Sequence, residues 1–119
     1  LSLYPHHLKD NTNCTLESFC EMTARTAEII NVKNIGIGSD LCLKQPDKVV
    51  EWMRNGTWTK NKNYGEGSMK KPGFPTQPKW FEDARGFKNL EIGLKKVGFS
   101  VTETDGILGN NWYNFYKTI

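Results

Sequence analysis

Asp40 is the residue of this chain whose setting most invites chemistry. It follows Gly36, Gly38 and Ser39 at the end of a short apolar run. In parallel α/β folds the carboxyl ends of strands are where reacting groups gather. A carboxylate partly withdrawn from water there serves as general base toward a water molecule, then as acid toward a leaving amine. An aspartate at such a place also simply turns the chain after a strand. His6 and His7 follow the end of an earlier run, residues 1–4, which puts them on the same rim. Adjacent histidines do not easily share one ion, and the H-x-H and H-x3-H spacings of metal sites are absent. Solvated loop histidines are the simpler account. Tyr4 reads as strand packing, with substrate contact as the alternative.

Cys14, Cys20 and Cys42 are an odd number at spacings that match no metal knuckle. A disulfide framework wants an even count, so the chain reads as reduced. Cys42 would be a reactive thiol only beside a basic partner, which the sequence does not identify, and it reads as buried. Lys60, Lys62, Lys70, Lys71 and Lys79 are interleaved with Trp58, Tyr64 and Trp80. That mixture suits a groove for single-stranded nucleic acid. Lysines solvated around a packed loop are the plainer account, because acidic residues are interspersed.

The elements that must position these groups follow from periodicity. Residues 1–4 alternate apolar and polar up to Pro5, as a strand does. From Thr15, a plausible N-cap, apolar residues at 16, 19, 20, 23, 27 and 30 predict a helix ending at Asn31. Ile35 and Ile37 then share one face of a second strand, completing a strand–helix–strand unit with parallel pairing. Pro46 and Asp47 open a second helix that Gly56 closes. Residues 57–88 lack sustained periodicity but are rich in aromatics, as an ordered excursion would be. Asn89 caps a helix through Val97, with Gly98 past its end. Ser100 and Glu103 have the spacing of a capping box for a helix running to Leu108. Asn110 or Asn111 caps a last aromatic turn over residues 112–116.

With 119 residues, a formal charge of +3 and 24% charged residues, the chain has room for one modest core. No apolar run approaches the roughly 20 residues of a membrane span. The charge is too weak to argue for nucleic acid. Four Trp, four Tyr and six Phe argue against disorder. The chain opens without methionine or a signal-peptide pattern, so it reads as a piece that starts inside a strand. Reduced cysteines favour a cytoplasmic setting.

Gly36-Ile37-Gly38-Ser39-Asp40 and Gly106-Ile107-Leu108-Gly109-Asn110-Asn111-Trp112 together resemble the C-terminal third of the membrane (renal) dipeptidase family. These are binuclear zinc peptidases of the amidohydrolase superfamily. The resemblance implies an α/β fold, the C-terminal fragment of a (β/α)8 (TIM-type) barrel. It would comprise the last two strand–helix units plus C-terminal helices, in one partial domain over 1–119. It implies that Asp40 ends the eighth strand, handles the proton of the bridging water and assists the departing amine. Tyr4, His6 and His7 would lie on the substrate side. The family commonly continues its aspartate with Phe-Asp-Gly, whereas Leu41-Cys42-Leu43 follows here. The family's zinc ligands lie upstream of this chain. The intact enzyme would therefore hold two zinc ions and cleave dipeptides or small amides, and this chain alone would do neither. Uncovered barrel strands would drive it to a homo-oligomer. The competing reading is a stand-alone binding module, whose aromatic and lysine-bearing loop takes a peptide, glycan or nucleic acid.

Overall fold

The apolar spacing after Thr15 does produce a helix. In a computed structural model, which describes residues 1–46, 48–49 and 74–119, helix α1 spans Leu16–Ile30. The Thr15 hydroxyl accepts the Ser18 amide at 3.1 Å, giving one orphan donor of the first turn a partner. Phe19, Cys20 and Thr23 form its buried stripe. Asn31 ends it at a positive φ of 71°, which asparagine tolerates better than most residues. Its side chain accepts the Lys33 amide at 3.2 Å and so starts the short turn Val32–Asn34.

Helix α2, Phe87–Lys96, packs on α1 through Gly93, where a β-carbon would stand 2.7 Å from Cys20 Sγ. It starts before the predicted cap Asn89, whose carboxamide instead donates to the Trp80 carbonyl at 2.8 Å. Leu90 and Leu94 point inward and are fully buried. The helix closes in a Schellman motif: the Gly98 amide donates to Lys95 and the Phe99 amide to Leu94. Gly98 sits at φ 110°, a conformation that favours glycine. Ser100 follows at once with the predicted capping box of α3, Val101–Asp105. The α-helix does not reach Leu108. It passes into a π-type turn, Gly106–Asn110, which leaves helical backbone at Gly109. Helix α4 then spans Asn111–Tyr116.

The described part of the aromatic excursion is ordered by its own rings. Trp80 donates its indole N–H to the Cys14 carbonyl at 2.7 Å and lies 5.6 Å from Phe19. Phe81 is fully buried and meets Phe87 edge-on at 5.1 Å. Burying one such ring contributes about 2 to 3 kcal/mol. The remainder of the excursion, with Trp58, Tyr64, Lys60, Lys62, Lys70 and Lys71, lies outside the described residues. So does nearly all of the predicted helix after Pro46.

The α/β expectation is overturned. Among the described residues there is no strand, only an isolated parallel bridge between Ser2 and Gly38. It consists of the Gly38 amide donating to Leu1 at 2.8 Å and the Leu3 amide donating to Gly38 at 2.9 Å. Pro5 has no N–H with which to extend the pairing. On the other segment, the Ile35 and Ile37 carbonyls are taken by side chains of α4. Alternation did mark the buried residues Leu3, Ile35 and Ile37, but any extended segment lying on a core shows it. The described residues thus form no fragment of a (β/α)8 TIM-type barrel. The described helices and turns surround one core, in which Leu3, Phe19, Phe81, Leu90, Leu94 and Ile107 are buried together.

Two predictions follow from this packing. The Thr104 hydroxyl is buried on α3 without a hydrogen-bond partner. Thr104→Val is expected to stabilise the fold by about 1 kcal/mol, seen as a higher urea midpoint at unchanged slope. The Glu103 carboxyl is held below its ordinary value of 4.5 by the amide and then the hydroxyl of Ser100. A depressed folded pKa gives stability that is complete above the unfolded value and lost as pH falls through the folded one. Urea titrations below pH 4.5 should therefore show the parent losing stability faster than Glu103→Gln.

Candidate functional site

Tyr4, His6 and His7 are gathered at one place. Tyr4 is buried, and its ring lies 6.1 Å from His6 and 5.4 Å from His7. Both histidines are exposed on the turn Pro5–His7. His7 Nδ1 is 2.9 Å from Ser2 Oγ, which also accepts the Tyr4 amide at 3.1 Å. A serine against a histidine is half of a nucleophile–base arrangement. No carboxylate among the described residues bonds His7, so nothing orients its ring for proton transfer, and the pair locks the turn. The Asp40 side chain is exposed and its backbone is left-handed at φ 47°, which suits the turn-forming role of an aspartate.

Among the described residues no three of His, Cys, Asp or Glu come together to hold a metal ion. With neither barrel nor ligand cluster, the reading as a zinc-dependent dipeptidase-like hydrolase falls. The binuclear zinc cofactor and the dipeptide or small-amide substrate fall with it. The homo-oligomer argued from uncovered barrel strands loses its basis too. No described helix is long and apolar enough to cross a membrane. Cys14 and Cys20 are free, buried thiols, and burial, then the neighbouring Cys14, pushes Cys20 up to about 11. Cys42 is half-buried rather than buried.

What the chain does build is a junction between residues 32–38 and the start of α4. The Asn111 carboxamide donates to the Val32 carbonyl at 2.9 Å and to the Ile35 carbonyl at 2.7 Å. The Trp112 indole N–H donates to the Ile37 carbonyl at 3.1 Å. Two glycines make room. A β-carbon on Gly36 would stand 2.4 Å from Trp112 Nε1, and one on Gly106 would stand 2.9 Å from Asn111 Oδ1. The sequence reading took Asn111 as a possible cap. Its side chain caps nothing and reaches across the fold instead.

Fixed at this edge, the indole helps to order an aromatic surface. Trp112 stacks on Tyr116 at 5.9 Å, and Phe115 meets both rings edge-on. Lys117 lies over the Tyr113 ring at 5.7 Å. Trp112 is 43% exposed, Phe115 57%, and Tyr113 and Tyr116 64% each. Between α4 and residues 33–36 runs a groove of about 560 Å³, lined among others by Lys33, Ile35, Gly36, Trp112, Asn114 and Phe115. Sequence reasoning passed over this surface, although four aromatics within residues 112–116 were the available signal.

No protein-family model, curated protein or solved structure matches the chain.

Gly36→Ala is expected to push the indole aside and cost about 1 to 3 kcal/mol. Asn111→Ala, which leaves the Ile35 carbonyl without its donor and takes the second of two donors from Val32, should cost about 2 kcal/mol. The double variant should lose less than the sum, because both changes open one junction. Urea denaturation of the four proteins checks the energies, and the Trp112 indole N–H resonance reports the displacement.

Proposed function

We propose that this chain is a docking module that takes a polypeptide segment of another protein against α4 and the groove beside it. The observation that carries this reading is the exposure of Trp112, Tyr113, Phe115 and Tyr116 on one six-residue helix. A helix that short is not stable by itself, and the contacts of Asn111 and Trp112 with residues 32–37 are what hold it. The remaining aromatic area faces water, where large apolar patches mark binding surfaces. Tyrosine and tryptophan dominate the energetics of such surfaces. The Trp112–Tyr116 stack orders the rings beforehand, which lowers the entropy lost on binding. Exposed area continues past the groove to Tyr113 and Ile119, more than a small ligand would cover.

A random-peptide display library selected on the immobilised chain tests this. Enriched peptides are expected to lose at least about tenfold in affinity against a Phe115→Ala/Tyr116→Ala variant with an unchanged circular dichroism spectrum. A library without enrichment removes the proposal, as do peptides that bind parent and variant alike.

A further inference from the structure

Among the described residues that line the groove the one charged side chain is positive. Lys33 is exposed at its rim and enters no ion pair among the described residues, whereas Arg25, Arg85, Lys95 and Lys96 each lie against a carboxylate. Neither wall offers an anion: residues 32–38 and 111–118 contain no Asp or Glu. Lys117 adds a second positive charge on the α4 side, lying over Tyr113. The Asn114 carboxamide lines the groove and makes no hydrogen bond among the described residues, so its donors and acceptor can meet a peptide main chain. Beneath these groups lie Ile35, Trp112 and Phe115.

From this juxtaposition we infer that the segment bound here is acidic, with an Asp or Glu side chain set beside an apolar anchor. The carboxylate pairs with Lys33 and the anchor rests on Trp112 and Phe115, while Asn114 holds the main chain between them. The inference rests on the docking reading above and adds the selection rule. An exposed lysine contributes little affinity by itself, but it disfavours partners of like charge and speeds encounter with opposite ones.

Three amidated, acetylated peptides of one length test it. Each carries the same leucine and phenylalanine anchors, flanked by glutamate, glutamine or lysine. Binding is read by anisotropy of a peptide-borne dye against the parent and against Lys33→Glu. The glutamate peptide is expected to bind about two- to fivefold more tightly than the glutamine peptide, with affinity falling as salt rises. Against Lys33→Glu the order of the glutamate and lysine peptides should reverse. Equal binding of all three peptides to both proteins would overturn the selection rule and leave the docking surface standing. Binding of none would overturn both. Vesicles of phosphatidylserine and phosphatidylcholine provide the other arm: Lys33-dependent sedimentation with vesicles, without peptide binding, would assign the surface to a membrane and overturn the inference.

Discussion

Two backbone carbonyls, those of Ile35 and Ile37, govern how this fold is put together. They lie on an extended segment that pairs with its neighbour at only one point, so a sheet cannot supply their donors. A buried carbonyl without a donor costs as much as a lost hydrogen bond. The donors come from Asn111 and Trp112, 76 and 75 positions further along the chain. That requirement brings the last helix onto the first third of the molecule. It also calls for the small residues Gly36 and Gly106, since a side chain at either would collide with the donors.

The functional reading grows out of the same contact. Anchoring Asn111 and the nitrogen edge of Trp112 leaves the other aromatics of α4 pointing outward, ordered but uncovered. The scaffold supplies rigidity through the α1–α2 pair, where Gly93 lets the helices come close and Phe19, Leu90 and Leu94 are buried. Rigid support beneath an exposed aromatic face is what lets a short helix act as a recognition element.

Local rules were legible in the sequence. Thr15 before an apolar helical stripe, the Ser100 and Glu103 box, and Gly98 past a helix end each act within a few residues, and each forms. The strands were misread because alternation reports an extended backbone with one buried face, and pairing depends on what lies alongside. The zinc-peptidase reading depended on that pairing. The two stretches that prompted it, 36–40 and 106–112, do meet, but through Trp112 and not around Asp40. Nothing near Asn111 in sequence distinguishes a cap from a long-range donor, because its partners lie so far away. Asn89 was misassigned for a similar reason, its carboxamide being drawn to Trp80.

The π-type turn between α3 and α4 sets the rotational phase of everything after it. Each residue of an α-helix advances the chain by about 100°, so one position more or fewer between Asp105 and Asn111 would swing the final turn through that angle. The carboxamide and indole would face solvent, and a different pair of side chains would confront the carbonyls. Length in those five residues is therefore constrained along with the identity of two of them, the buried Ile107 and the glycine over which Asn111 passes.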